Sequence, residues 1–126
     1  MSTHPLLFSA SILGFLAVAL GAFGAHAVKD HIDPALYVIY QTGVEYHFYH
    51  AVAVLALAFA PNSLNPVLLK RAAIGFTMGI LLFSGSLYLM ALTGVRMLGM
   101  VTPLGGIAFL CGWALLGYAA LRSNRS

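Results

Sequence analysis

Four runs of apolar residues, Leu6 to Ala25, Tyr37 to Ala60, Ala72 to Leu92 and Met100 to Leu121, leave this chain few ways to fold. Each can supply the roughly 20 residues with which a helix crosses the hydrocarbon of a bilayer. Within hydrocarbon every backbone N–H and C=O must be paired inside the protein, which restricts spanning segments to helices and closed barrels. Barrel strands alternate apolar and polar residues, and these runs do not. Composition agrees: the 126 residues are 61% hydrophobic and 7% charged, where a soluble domain carries about 25% charged residues. The predicted fold is all-α, an integral membrane bundle of four transmembrane helices. Residues 1–126 form one domain, because no connection is long enough to be a linker and no internal repeat stands out.

The connections suit that count. Asp33 before Pro34 reads as an N-cap followed by a first-turn proline, which starts the second helix. Residues Pro61 to Pro66 form a turn-rich break, and Thr93-Gly94-Val95-Arg96 separates the last two helices. Four spans put both termini and the second connection on one side, with Lys70, Arg71, Arg122 and Arg125; Lys29 and Arg96 lie on the other. Four basic residues against two favour cytoplasmic termini in a multi-pass plasma-membrane protein. The net charge of +3 is thus a topology signal that points to a lipid bilayer as partner and not to nucleic acid. Ala25-His26-Ala27 resembles a signal cleavage site, but the preceding apolar run is long and no Lys or Arg precedes it, so retention of the first helix is expected. Cys111 stands alone and cannot form an internal disulfide.

The second run is the unusual one, because Tyr37 to His50 places an acid, two histidines, a glutamine and four tyrosines at membrane depth. At about 100° per residue, Gly43, Tyr46, His50, Ala53 and Leu57 form a seam towards one neighbour. Gln41, Glu45 and Tyr49 form a second face, and Tyr40 with His47 a third. Polar groups in hydrocarbon are costly unless paired, so the second face is expected to be covered by another helix or by a second subunit, giving a homo-oligomer. For Glu45 two readings stand together: an interhelical hydrogen bond, or a carboxyl that binds and releases a proton. His50 is expected to be a neutral imidazole bonded to another helix. Haem or metal ligation finds weak support, since His47 and His50 are three apart without Cys, and His26 is displaced in depth; no metal site and no cofactor are expected. Ser84 and Ser86 can bond across helices, and small residues at four-residue spacing (Ala17, Gly21 and Ala25; Gly75 and Gly79; Ala108 and Gly112) allow close helix approach.

Several of these residues carry a resemblance. Gly21 to His26, Tyr46 with His50-Ala51, Phe83-Ser84-Gly85-Ser86-Leu87-Tyr88-Leu89, Leu92-Thr93-Gly94, Thr102-Pro103-Leu104-Gly105-Gly106 and Gly112-Trp113 together resemble the YwdK/YgdD family of small membrane proteins, in order and over nearly the whole chain. The resemblance implies a four-helix inner-membrane protein of unknown function, with recurrent positions at His26, Tyr46, His50, Ser84, Gly85, Ser86, Thr102, Pro103, Gly105 and Gly106. Glu45 is outside that set.

The functional expectation is a membrane protein without catalytic activity, an accessory or small-ligand-binding bundle. Tyr46, His50, Ser84, Ser86, Glu45, Gln41 and Tyr49 form its polar intramembrane cluster, and His26, His47, Thr102, Gly105 and Gly106 are candidate ligand-lining residues. The alternative is an oligomeric proton-coupled small-molecule transporter using Glu45 or His50. An enzyme is disfavoured because no nucleophile, base and orienting residue occur at recognisable spacing.

Overall fold

A computed structural model of the chain describes residues 4–123, so Arg125 lies outside the described residues. Helix α1 runs Pro5–Phe23 and continues through a wide turn at Gly24–Val28. Helix α2 is Pro34–Leu57, and α3, Pro66–Gly79, passes through a second wide turn at Ile80–Ser84 into α4, Gly85–Thr93. A short 3-10 turn at Arg96–Met100 precedes α5, Thr102–Leu121. Among the described residues there is no strand.

Local chemistry sets most of the boundaries. Asp33 caps α2 by accepting from the Ala35 N–H at 2.9 Å, and Asn65 caps α3 by accepting from the Val67 N–H at 2.8 Å, each ahead of a first-turn proline. Both helices therefore begin well before the first apolar residue that marked their runs. At its far end α4 stops at Gly94, whose φ of 73° is the left-handed conformation open to glycine at little cost. In both wide turns an N–H reaches five residues back, Lys29 to the Gly24 carbonyl and Gly85 to the Ile80 carbonyl. Such π turns insert one extra residue and so change which side chains face a neighbour.

The α3–α4 rod spans Pro66–Thr93 and packs on α2 along one side and on α5 along another; α1 packs on α2. Three of the four rods, Pro5–Val28, Pro66–Thr93 and Arg96–Leu121, are long and apolar enough to cross a membrane. Helix α2 matches them in length at 24 residues but is not among them, because Gln41, Glu45, His47 and His50 interrupt its apolarity. The main core gathers Leu13, Val54, Leu57, Ala72, Phe76, Ile80 and Phe109, with a smaller one around Val28, Tyr40 and Ala91. Between Tyr40 and Ala51 on α2 lies a layer of polar contacts.

Candidate functional site

That layer grows from the inner face of α2. Gly43 is buried and lets the Tyr88 ring come close, since a Cβ there would sit 3.0 Å from Tyr88 Cε1. Ser84 closes the wide turn in the α3–α4 rod, and its hydroxyl, fully buried, donates to the Gly43 carbonyl at 2.7 Å. His47 Nδ1 lies 2.8 Å from the Tyr88 hydroxyl. The Tyr40 hydroxyl donates across to the Leu20 carbonyl of α1, and the Tyr40 and Tyr88 rings sit 5.3 Å apart. His47 Nε2 is buried with no hydrogen-bond partner among the described residues. Two residues beyond the turn, the Ser86 hydroxyl is 2.9 Å from the Phe83 carbonyl and 2.6 Å from the Thr102 hydroxyl, which ties α4 to the start of α5.

His50 makes a different connection. Its Nε2 lies 3.1 Å from the indole nitrogen of Trp113 on α5, and its Nδ1 lies 2.7 Å from the Tyr46 carbonyl. Indole N–H can only donate and a carbonyl can only accept. Nε2 is therefore the bare acceptor and Nδ1 carries the proton, so the contacts define a neutral imidazole in one tautomer. The ring also stacks on Phe109 with centroids 3.6 Å apart and planes 10° from parallel, and Phe76 closes its other side at 5.5 Å. One turn earlier the Tyr46 ring lies 4.6 Å from that of Phe83.

These residues wall a groove of about 450 Å³ between α2 and α5, lined by Tyr46, His50, Phe83, Gly106, Phe109 and Trp113, with Pro103 at one end. Its floor is aromatic. The His50 and Trp113 nitrogens are occupied by each other. The adjacent glycines Gly105 and Gly106 divide their roles: Gly105 is buried against the backbone of Phe83, while beside Gly106 there is open space. A second groove, between α1 and α3 at Pro5, Ser9, Thr77 and Met78, has no comparable set of paired polar groups.

The expected polar cluster thus separates into parts. Tyr46 and His50 meet Phe83, Phe109 and Trp113 and do not reach Ser84 or Ser86, which bond to Gly43 and Thr102 instead. Gln41, Glu45 and Tyr49 are exposed on α2, with Gln41 and Glu45 at the edge of a groove that Gly21 and Ala25 line from the first helix and its wide turn. Of the ligand-lining candidates, Gly106 faces the groove, Gly105, Thr102 and His47 are taken up in helix contacts, and His26 is exposed in the turn that ends α1. Among the described residues no group of His, Cys, Asp and Glu is arranged to hold a metal ion. Trp113, Phe109 and Tyr88 were not anticipated as site residues. The signal for Trp113 was an indole N–H in an otherwise apolar helix, which needs an acceptor at that depth.

Comparison with known proteins places these features in a family. Residues 20–106 match a family described as "Protein of unknown function (DUF423)". The chain is 41% identical over 125 residues to the UPF0382 inner membrane protein YgdD of Escherichia coli, covering 99% of this chain and 95% of that one. It is 42% identical over 114 residues to the UPF0382 membrane protein YwdK of Bacillus subtilis, covering 89% and 92% of the two chains. A UPF0382 membrane protein of Haemophilus influenzae is 38% identical over 114 residues, covering 90% and 91%. No solved structure matches the chain.

Proposed function

The chain belongs to the DUF423 family of membrane proteins of unknown function, and from that premise we propose that it is a non-catalytic, four-span inner-membrane protein that seats a small apolar ligand or lipid chain in the groove between α2 and α5. The observation that carries this reading is the groove itself: a lipid-facing space of about 450 Å³ with an aromatic floor, next to a histidine whose two nitrogens are already engaged. Ligand sites are largely apolar with few polar groups, and Tyr46, 38% exposed, is the residue of the groove wall that carries a hydroxyl.

A diazirine-bearing fatty acid in native membranes tests the reading. Label should concentrate on peptides carrying Phe83, Gly106 and Leu110, all three of which line the groove, and Gly106→Trp, which fills the groove, should remove most of it. Label spread evenly over exposed positions such as Phe15 and Val18 would count against a site.

Helix α2 is counted as the fourth span in this proposal. The end of α2 near Ala58 lies beside His4, and the Asn62–Asn65 turn lies beside Tyr118 and Arg122, so both ends of the described residues lie at the end of the bundle that carries Lys70 and Arg71. We place that side in the cytoplasm. A C-terminal alkaline phosphatase fusion should be inactive and a C-terminal fluorescent protein active; the reverse pattern would overturn the orientation. The transport alternative would have to run through Glu45, because protonating His50 would remove its acceptor from Trp113. Glu45→Gln should abolish transport if that route operates and leave the bundle intact.

A further inference from the structure

The outer face of α2 carries a pattern separate from the groove. Val38, Gln41, Glu45, Phe48, Val52 and Leu55 recur at spacings of three and four residues, and all six are exposed. That is the repeat with which one helix packs along another. The stripe rises about 26 Å at 1.5 Å per residue, most of the hydrocarbon thickness. It lies opposite the buried face of His47, Ala51 and Val54, where α1 and the α3–α4 rod already sit. At its Gln41 and Glu45 end the stripe borders α1, where the two side chains line a groove with Gly21 and Ala25 and remain exposed.

Two of the six side chains are polar and one turn apart. Among the described residues, the hydrogen bonds between rods are made by Tyr40, His47, His50, Ser84 and Ser86, none by Gln41 or Glu45. With α2 as the fourth span, the reading proposed above on which this inference rests, lipid tails offer an amide and a carboxyl nothing to bond to, and an unpaired polar group there is costly. A second copy offers both partners at once. Copies inserted in the same orientation bring α2 alongside α2 in parallel, with Gln41 and Glu45 at matched depths, so each amide can donate to the carboxyl of the other copy. The stripe holds donor and acceptor together, which is the self-complementarity that a two-fold interface demands. Phe48, Val52 and Leu55 continue it as an apolar seam, and a seven-residue repeat on a straight helix drifts by about 20° per repeat, which a left-handed crossing of about +20° absorbs.

We propose that α2 pairs with α2 of a second copy along the Val38–Leu55 stripe, forming a parallel two-fold dimer in which Gln41 and Glu45 are hydrogen-bonded across the interface. The groove beside His50 is on another side of α2 and stays open in such a pair, so this inference stands independently of what the groove binds.

Disulfide mapping in native membranes tests it. In a Cys111→Ser background, single cysteines replace Gln41, Phe48, Val52 or Leu55, with Val18 on α1 and Leu110 on α5 as controls that are 62% and 69% exposed. Oxidation should give at least about fivefold more disulfide-linked dimer on the stripe than at the controls. Equal crosslinking at the controls, attachment of the stripe to a different protein, or no dimer at any stripe position would each overturn the proposal. Native mass measurement of the unmodified chain in nanodiscs gives a second reading that needs no substitution: two copies support the pair, and a single copy contradicts it.

Discussion

Replacing Gly105 with alanine is expected to destabilise the bundle by about 2 to 3 kcal/mol, while the same change at the neighbouring Gly106 should be neutral or stabilise by up to about 1 kcal/mol. The two residues share a helix, a sequence context and a residue type, and differ in what faces them. A methyl on Gly105 would lie 2.7 Å from Phe83 Cα and closer still to the Phe83 backbone nitrogen. Backbone cannot rotate out of the way, so α5 would have to move off the wide turn that carries Phe83 and Ser84. That displacement would also strain the Ser86–Thr102 contact at the start of α5. At Gly106 no atom beyond its own helix backbone and chain neighbours lies within 4 Å of the added carbon, and alanine removes only the backbone freedom of glycine. Unfolding of both variants in mixed micelles, titrated with a denaturing detergent, measures the difference. Equal tolerance at the two sites would mean that α5 does not approach Phe83 as closely as described.

His50→Ala should cost about 3 to 4 kcal/mol, combining the void left by the ring with a Trp113 N–H that has lost its acceptor. His50→Gln should cost about 1 to 2 kcal/mol, because the amide oxygen can still accept from Trp113 while the stack on Phe109 is lost. Trp113→Phe removes the donor and leaves an apolar ring in place, so with His50→Ala the double variant should be milder than the sum of the two single ones. Thermal unfolding of the four proteins gives the coupling directly. If all variants kept normal stability yet lost function in cells, His50 would be acting on a ligand or a proton and not on α5.

The helical class and the membrane setting were legible in the sequence because they follow from apolar runs and from the scarcity of charge, which no packing detail can override. Caps at Asp33 and stops at Gly94 were legible for the same reason: they depend on one residue and its own backbone. The partners of the polar residues were not. Of the seam Gly43, Tyr46, His50, Ala53 and Leu57, all but Tyr46 are buried, Tyr46 being exposed at the groove; helical spacing says which side of α2 a residue occupies, not which residue of another helix meets it. Ser84 ends the wide turn at Ile80–Ser84 and bonds to the Gly43 carbonyl, not to His50, and nothing in Ile80-Leu81-Leu82-Phe83-Ser84 marks an inserted residue. Gly105 and Gly106 illustrate the limit from the other direction, since identical neighbours acquire opposite roles from the position of Phe83. The second face of α2 was readable as polar, and its exposure within the chain turns that polarity into the case for a second copy.

The buried histidine of the groove, His50, holds α2 to α5 through Trp113 and stays neutral. Nitrogen-15 solid-state NMR of histidine-labelled protein in bilayers at neutral pH tests it most directly, with the His50 signals assigned by their loss in His50→Gln. The predicted spectrum shows a neutral ring with its proton on Nδ1 and a hydrogen-bonded, unprotonated Nε2 whose shift changes in Trp113→Phe. A ring protonated on Nε2, or on both nitrogens, would contradict the account.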